Sequence, residues 1–291
     1  MDTKRKPNAH IWSFADIHGI RVHYRELGPT DAPTVVLFHH FHGNVATWRK
    51  LQPLLADAYH VVAFDRPGFG FTERRPPRGS RTGHLYSRLA GARLAFGLMN
   101  LLHVERATFV GASAGGTVAL EAFAYAPHRV NAISLINPAI TGDVGPPAAL
   151  RPLLRIWPIP AVGGQLAARI GAQVGPERVG RSWHDPRAVT ESDVAAYQAP
   201  MRHPQWGRAL FDAMVANPPP DIRGLLRRVD VPALVIAGES DPLVLPEWNA
   251  ATAAAIQGAQ LVRLSDVGHT PHEERPDLVA PVLLEFLRSL S

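Results

Sequence analysis

The chain has 291 residues, of which 46% are hydrophobic and 19% charged, and it contains no cysteine. The missing cysteines exclude a disulfide scaffold and a cysteine-ligated metal site, and the apolar fraction with a formal net charge of only +5 excludes a disordered chain. No apolar run approaches the roughly 20 residues of a membrane-spanning helix, and the polar start lacks the apolar stretch of a signal peptide. We therefore expect a soluble cytoplasmic protein with a sizeable core.

The sequence pI of about 9.9 raises the question of nucleic-acid binding. Only three lysines occur, the arginines are scattered, and the one dense basic cluster lies at residues 4–6. Nucleic-acid-binding surfaces concentrate their positive charge on one face or interleave it with aromatic residues. We therefore expect no nucleic-acid partner and no stable insertion into a membrane.

Apolar segments rich in Val, Ile and Phe alternate with helix-like stretches along the chain. The first two flank His18-Gly19 and are typical of a β-hairpin. The predicted strands are Ile11–Phe14, Ile20–Tyr24, Val35–Phe38, Val61–Phe64, Ala107–Val110, Ala132–Ile136, Leu234–Ala237 and Leu261–Leu264. The predicted helices are Leu85–Leu102, Gly115–Tyr125, Trp248–Ile256 and Leu278–Leu290. This alternation predicts an α/β protein with a mostly parallel sheet and helices on both faces.

The alternation breaks over residues 138–228, which carry no strong strand signal and many proline, glycine, arginine and bulky apolar residues. A loop of that length without secondary structure is uncommon in a compact domain, so this segment is predicted to be a helical cap. Its large apolar side chains could pack the cap against the core or together line a hydrophobic pocket. They are Trp157, Trp183, Tyr197, Met201, Trp206, Phe211 and Met214.

Residues 111–115 read Gly-Ala-Ser-Ala-Gly and fit the pattern Gly-x-Ser-x-Gly. They follow a predicted strand and precede a predicted helix, which is the context of a nucleophile elbow. In such an elbow a serine on a sharp, strained turn projects its hydroxyl from the sheet edge, and small neighbours avoid a collision. Ser113 is therefore the candidate nucleophile, although the five residues alone are equally compatible with a tight turn.

A serine hydroxyl is a poor nucleophile at neutral pH, so a histidine must accept its proton and a carboxylate must orient that histidine. Asp241 and His269 follow the last two predicted strands, and the order Ser, Asp, His is the one found on this kind of sheet. Because the C-terminal ends of parallel strands share one edge, both can converge with Ser113. Segments on either side of the insertion thus supply one site, which predicts a single core domain of residues 1–137 and 229–291.

Other residues compete for two of these roles. Glu239 and Asp266 are alternative acids, each less well placed for a loop tip. His272 is an alternative base, but a histidine at this position is expected to begin the last helix as a solvent-facing or capping residue.

Five motifs in this order resemble the α/β-hydrolase superfamily, in the branch with cap-bearing esterases, epoxide hydrolases, haloalkane dehalogenases and cofactor-free haloperoxidases. Besides the elbow, they are Phe38-His39-His40-Phe41-His42-Gly43, Asp65-Arg66-Pro67-Gly68-Phe69-Gly70, Gly238-Glu239-Ser240-Asp241-Pro242 and Gly268-His269-Thr270-Pro271-His272-Glu273. They extend from about residue 20 to residue 290 and leave the insertion unmatched. The resemblance implies an α/β-hydrolase fold with an inserted cap and a serine esterase or lipase-like enzyme without a cofactor.

The resemblance also implies an oxyanion hole formed by the backbone N–H groups of Phe41 and Ala114. Two such donors stabilise the negative charge that develops in the transition state. The sequence departs from the family at His40, where glycine is usual, which makes the assignment of Phe41 less direct. The imidazole could narrow an acyl pocket or support the loop, and Asp65 and Arg66 are expected to shape a turn beneath the site.

The four histidines within residues 39–60, His39, His40, His42 and His60, invite interpretation as a metal site. No carboxylate or cysteine stands at a matching spacing, so we expect no metal.

The identity of the nucleophile separates the branches that the chain resembles. Dehalogenases and most epoxide hydrolases of this superfamily carry aspartate at the elbow, whereas Ser113 would form an acyl-enzyme. We therefore predict hydrolysis of a carboxylic ester, or of a lactone or thioester, of a small to medium hydrophobic substrate. The alternatives are carbon–carbon bond hydrolysis of diketones, hydrolysis of acyl homoserine lactones, peracid formation and, less favoured, a ligand sensor with weak turnover.

Overall fold

The computed structural model describes residues 12–75, 85–140, 153–156, 158–171, 173–217 and 222–290. The described residues include an eight-stranded sheet of order β1-β2-β4-β3-β5-β6-β7-β8. The strands are β1 (Trp12–Ile17), β2 (Ile20–Leu27), β3 (Thr34–Phe38), β4 (His60–Phe64), β5 (Ala107–Ala112), β6 (Val130–Ile136), β7 (Ala233–Gly238) and β8 (Gln260–Leu264). β2 is antiparallel to both of its neighbours, and the strands from β4 to β8 are parallel.

Eleven α-helices occur in the described part of the chain. They are α1 (Gln52–Leu55), α2 (Arg88–Leu101), α3 (Ala114–Tyr125), α4 (Ile159–Gly171), α5 (Pro176–Gly180), α6 (Glu191–Met201), α7 (Trp206–Ala216), α8 (Ile222–Arg227), α9 (Pro246–Ala255), α10 (Pro271–Glu274) and α11 (Pro276–Arg288). None of the described helices is both long and apolar enough to cross a bilayer.

The predicted sheet with its amino-terminal hairpin is confirmed, with shifts at the element ends. The second strand runs to Leu27, three residues beyond its predicted end, because Tyr24 to Leu27 pair with Val61 to Phe64 of β4. The last predicted helix, Leu278–Leu290, corresponds to α11, which begins and ends two residues earlier. Arg275, the residue that precedes Pro276, separates α11 from the short helix α10. A residue before proline disfavours the helical conformation, and Arg275 lies outside it, with φ of −133° and ψ of 60°.

The core lies in two layers, one on each face of the sheet. Successive side chains of a strand point to opposite faces. Val36 and Phe38 of β3 therefore pack into one layer with α2 and α3, whereas Val35 and Leu37 pack into the other with α11. Burial on both faces explains why β3 is a continuous apolar run without polar alternation.

Helices α4 to α8 lie in the chain between β6 and β7, within the segment predicted to form a cap. Trp206 and Leu210 of α7 pack with Phe69 and Tyr86, which belong to loops after β4. The division of the chain at residues 138 and 228 stays a prediction.

The carboxylate of Asp193 caps the amino-terminal end of α6 and also attaches this helix to residues near α1. Asp193 Oδ2 accepts hydrogen bonds from the backbone N–H of Thr190 at 2.9 Å and from its hydroxyl, which completes a capping box. Asp193 Oδ1 pairs with Lys50 Nζ at 2.8 Å and also with the Arg49 guanidinium. Asp193 is itself fully buried, so these partners compensate for its lost hydration.

We expect Gly115→Ala to lower the free energy of unfolding by about 2 kcal/mol or more, since overpacking against backbone is poorly relieved. A Cβ on Gly115 would lie 2.0 Å from the carbonyl oxygen of Phe38. Chemical denaturation followed by circular dichroism measures this difference. Gly175→Ala is the matched control, because a Cβ there meets no atom within 4 Å, and a change below about 1 kcal/mol is expected. Equal effects of the two substitutions would contradict the close approach of α3 to β3.

Candidate active site

Ser113 stands alone between β5 and α3, in a backbone conformation that ordinary residues avoid. Its φ of 49° and ψ of −120° place it outside the helical and extended regions. Such strain costs about 1–3 kcal/mol and persists only where the surroundings hold it. Here the N–H of Ser113 donates to the carbonyl of Ile136 at 2.8 Å, and its carbonyl accepts from Gly116 at 2.9 Å. The strand-turn-helix context predicted for this serine is thus present.

The structure brings Ser113, His269 and Asp241 into one hydrogen-bonded chain. His269 Nε2 lies 2.9 Å from Ser113 Oγ, and His269 Nδ1 lies 2.7 Å from Asp241 Oδ2. The other oxygen of Asp241 accepts from the N–H groups of Leu243 and Val244 at 2.7 and 2.9 Å. All three side chains are buried, with residue exposures of 3–6%. This geometry allows the imidazole to accept the serine proton while the carboxylate holds the ring.

The alternative acids and base lie in different surroundings. Glu239 is exposed and accepts from Ser265 at 2.7 Å, and Asp266 is exposed at 3.7 Å from His184. The expectation that His272 is solvent-facing or capping is wrong, because the side chain is fully buried. The short helix α10 turns its ring inward, where it packs on Trp48 with ring centroids 4.2 Å apart.

Two backbone N–H groups next to Ser113 and β3 match the pair expected for an oxyanion hole. Ala114 is the first residue of α3, where N–H groups have no partner within the helix. Phe41 lies in the β3 loop, defined here as residues 39–43. Neither N–H donates to another group of the described residues. The helix N-terminus also favours negative charge at this point.

Comparison with known proteins identifies the family. Residues 35–282 match the sequence profile of the Alpha/beta hydrolase family. The chain belongs to this family. Its sequence is 27% identical to an uncharacterized hydrolase, YugF, of Bacillus subtilis, over 94% of this chain and 96% of that protein. It is also 27% identical to a 2-hydroxy-6-oxononadienedioate/2-hydroxy-6-oxononatrienedioate hydrolase of Pseudomonas putida, over 92% of each.

Solved structures agree with this membership. The enol-lactonase of Burkholderia xenovorans LB400 aligns with a TM-score of 0.72 and 25% identity, over 95% of this chain and 100% of that chain. The predicted α/β-hydrolase fold is therefore confirmed.

Asn137 ties together three of the loops at the site of this alpha/beta hydrolase, and the sequence analysis missed it. Its amide nitrogen donates to the carbonyls of Gly268 and His269 at 2.9 and 3.1 Å. Its amide oxygen accepts from the N–H of Gly238 at 2.9 Å and from Asn249. The φ of 40° is a conformation that asparagine tolerates better than most residues, so an asparagine directly after a buried strand was the available signal.

Asp65 pins the turn beneath the β3 loop, as expected for this motif. Its Oδ1 accepts from Val45 N–H at 2.6 Å, and its Oδ2 accepts from Phe71 N–H at 2.7 Å and contacts His23 Nδ1 at 2.6 Å. Burial opposes ionisation, but the hydrogen bonds that Asp65 accepts from His23 and from the Phe71 N–H contribute to a net lowering of its pKa. A fixed carboxylate therefore organises the chain from β2 to β4.

Arg66 supports the β3 loop directly. Its guanidinium donates to the carbonyl of His40 at 3.1 Å, and its N–H donates to His39 Nε2 at 3.1 Å. Burial and the Arg66 charge lower the pKa of His39 to about 3, so this ring is neutral and accepts a hydrogen bond at Nε2. These hydrogen bonds of Arg66 thus fix the backbone on either side of His40, next to Phe41.

His40 is buried and meets side chains from α6 and α10. Tyr197 donates to Glu273 Oε1 at 2.6 Å, and its hydroxyl lies 3.1 Å from His40 Nε2. Burial raises the pKa of Glu273 to about 8, and burial lowers the pKa of His272 to about 3. His40 therefore supports the loop through α6, which is one of the two roles left open for it, and the sequence analysis did not single out Glu273.

The apolar residues of the predicted cap divide between several places. Trp206 and Met201 pack in one cluster with Phe41 of the β3 loop. Trp183 lies under Lys50, with the ammonium 5.0 Å from its ring centroid. Tyr197 contacts the polar cluster described above, Phe211 is buried and Met214 is half-buried. Trp157 lies outside the described residues.

We expect Asn137→Asp to lower the free energy of unfolding by about 2–5 kcal/mol, because it removes two donors and leaves buried carbonyl oxygens unsatisfied. The substitution keeps size and tolerance of positive φ. Urea denaturation at neutral pH measures the loss.

Asn100→Asp is the matched control, since Asn100 is exposed and its oxygen only accepts from Arg129 at 2.9 Å. A carboxylate keeps that contact, so a change within about 0.5 kcal/mol is expected. A loss at Asn137 no larger than in the control would show that its amide does not hold these loops.

Proposed function

We propose that this alpha/beta hydrolase cleaves carboxylic esters, lactones or thioesters of small to medium hydrophobic substrates through an acyl-enzyme on Ser113. The observation that carries the proposal is the buried chain from Asp241 through His269 to a strained Ser113, with 2.7 and 2.9 Å contacts. A carboxylate next to Nδ1 favours the imidazole tautomer that carries its proton on Nδ1. Nε2 is then free to accept the proton of Ser113.

The proposed reaction runs in two symmetric halves. Ser113 Oγ attacks the carbonyl carbon while His269 Nε2 takes the hydroxyl proton. The tetrahedral intermediate then expels the alcohol, which receives that proton from His269. A water molecule next attacks the acyl-enzyme in the same way, and the acid leaves as Ser113 recovers its proton.

The backbone N–H groups of Phe41 and Ala114 are proposed to bind the oxyanion. Removal of a single such donor typically costs about 3–4 kcal/mol of transition-state stabilisation. Pinning of the β3 loop by Arg66 and His40 fits this role, because preorganised donors need no movement during the reaction.

The neighbourhood of the proposed oxyanion donor favours an apolar substrate. Phe41, Phe69 and Trp206 lie in one aromatic cluster, and pockets for small molecules are mostly apolar with a few placed polar groups. The similarity to an enol-lactonase supports a cyclic ester as one form of substrate.

A second candidate is hydrolysis of a carbon–carbon bond. It is favoured by the similarity to the Pseudomonas putida hydrolase, whose named substrates are 2-hydroxy-6-oxononadienedioate and 2-hydroxy-6-oxononatrienedioate. Comparison of kcat/KM for p-nitrophenyl butyrate, an enol-lactone and a 2-hydroxy-6-oxo dienoate ranks the two candidates.

Ser113→Ala is expected to abolish the burst of p-nitrophenol and to lower kcat for p-nitrophenyl butyrate by roughly 10³-fold or more. The reason is that, among the described residues, no hydroxyl other than that of Ser113 is hydrogen-bonded to His269 Nε2. Stopped-flow absorbance measures the burst, and a fluorophosphonate probe followed by mass spectrometry locates the labelled residue.

Ser134→Ala is the matched control, because Ser134 is also fully buried and its hydroxyl has no partner among the described groups. Its activity should stay within about twofold of the wild type, since no interaction is lost. Unchanged hydrolysis by the Ser113 variant, or no turnover by wild type on any of these esters, would overturn the esterase proposal.

Asp241→Asn is expected to lower kcat by roughly 10⁴-fold, because an amide at this position favours the wrong imidazole tautomer. Steady-state kinetics on the same ester measures the effect, and circular dichroism checks the fold.

Glu239→Gln tests the rival acid under identical conditions. Its side chain is exposed and paired with Ser265, so nearly full activity is expected. The opposite pattern, an active Asp241 variant and an inactive Glu239 variant, would move the acid role to Glu239.

A further inference from the structure

Three buried side chains at the β3 loop lie close together and leave several of their polar atoms without hydrogen-bond partners among the described residues. His40, His272 and Glu273 each offer one ligating atom, and these atoms all lie within 4.8 Å of one another. Glu273 Oε1 is 3.9 Å from Nε2 of each histidine. His272 and Glu273 are fully buried and the His40 side chain is 8% exposed, so bulk water does not reach the cluster freely.

Four polar atoms of this cluster have no hydrogen-bond partner among the described residues. They are Nδ1 of His40, both ring nitrogens of His272 and Oε2 of Glu273. Buried polar atoms are nearly always paired with protein, ordered water or an ion. A fully buried histidine with two unpartnered nitrogens, next to an unpartnered carboxylate oxygen, therefore points to a ligand at this place.

The donor set suits a zinc-type divalent cation. Zinc takes four ligands at about 2.0–2.2 Å from imidazole nitrogen and carboxylate oxygen, which sets neighbouring donor atoms roughly 3.4 Å apart in a tetrahedron. Glu273 Oε1 lies 3.9 Å from Nε2 of His272, which has no hydrogen-bond partner among the described residues, and 3.9 Å from Nε2 of His40. Glu273 Oε1 and His40 Nε2 also contact the Tyr197 hydroxyl, at 2.6 and 3.1 Å. These distances lie on both sides of the tetrahedral value. Because the three ligating atoms are up to 4.8 Å apart, combined shifts of up to roughly 1.4 Å would bring them around an ion.

We propose that His40, His272 and Glu273 form a zinc-type metal site, with the Tyr197 hydroxyl as the fourth donor. The sequence expectation of no metal depended on the lack of a carboxylate near the histidines of the β3 loop. Glu273 supplies that carboxylate from the opposite end of the chain.

The proposed ion is structural and separate from Ser113, His269 and Asp241. It would join the β3 loop to α10, which begins two residues after His269, and through Tyr197 to α6. A bound ion would thereby fix the spacing between the proposed oxyanion donor and the proposed base. A structural ion that binds only the folded chain raises its stability by RT ln(1 + c/Kd), where c is the concentration of the free ion.

The test measures metal in the purified full-length protein without an affinity tag. The protein is dialysed against a chelator, incubated with zinc chloride and gel-filtered, and zinc is determined by mass spectrometry. We expect one zinc ion per chain and a rise in Tm of roughly 5 °C at zinc near 100 times Kd. Cobalt chloride should give the visible absorption bands of a four-coordinate site.

His272→Gln and Glu273→Gln should each lose the bound zinc and the rise in Tm. His60→Gln is the matched control, because His60 is also buried, has an unpartnered ring nitrogen and lies outside the cluster. It should bind zinc as wild type does.

Folded wild-type protein that retains no zinc and shows no rise in Tm would overturn the proposal and assign the cluster to buried water. Equal zinc uptake by wild type and both cluster variants would also overturn it. If a variant fails to fold, the wild-type stoichiometry and cobalt spectrum decide the question alone. None of these measurements depends on hydrolytic activity, so failure of the esterase proposal would leave them interpretable.

Discussion

The strained backbone of a single residue determines the arrangement of the candidate site. The chain turns sharply at Ser113, the one residue between β5 and α3. Backbone hydrogen bonds with Ile136 and Gly116 hold this residue at its positive φ. The following helix can begin there only because Gly115 lets its backbone approach the end of β3. The same contact places the β3 loop beside the serine, so nucleophile, helix N-terminus and loop are positioned together. Unstrained alternatives at Ser113 would move all three.

Side chains outside the triad hold the remaining parts in register. Asn137, itself at positive φ, connects the end of β7, which leads to Asp241, with the loop after β8, which carries His269. On the other side, Arg66 supports the β3 loop from beneath. The site is therefore built on backbone carbonyls and amides that buried polar groups fix, which is the kind of support that precise geometry requires.

Much of the fold and the candidate triad could be predicted because their signals are local. Apolar runs of about five residues predict buried strands, and Ser113, Asp241 and His269 each follow such a run within five residues. The common edge of parallel strands then converts three separate sequence positions into one neighbourhood. Element ends were less predictable, since the length of β2 depends on its pairing with β4.

The polar cluster at the β3 loop could not be predicted in this way. Tyr197 and Glu273 lie far apart in the chain, and their contact depends on how α6 meets the core. The burial of His272 depends on the direction of the four-residue helix α10, which no periodicity in so short a segment can reveal. Asn137 was accessible to sequence reasoning, because an asparagine after an apolar strand is a sign of left-handed backbone.

The carboxylate of Asp193 serves two structural purposes at once. One oxygen closes the first turn of α6, and the other binds Lys50 and Arg49 near α1. Attachment of this helix and its initiation are therefore thermodynamically coupled. If α6 moved away from those cations, Asp193 would lose them and become hydrated. Water would then compete for the hydrogen bonds of the capping box. Any movement that detaches α6 from the core thus involves fraying of its amino-terminal turn, rather than the rigid displacement of an intact helix.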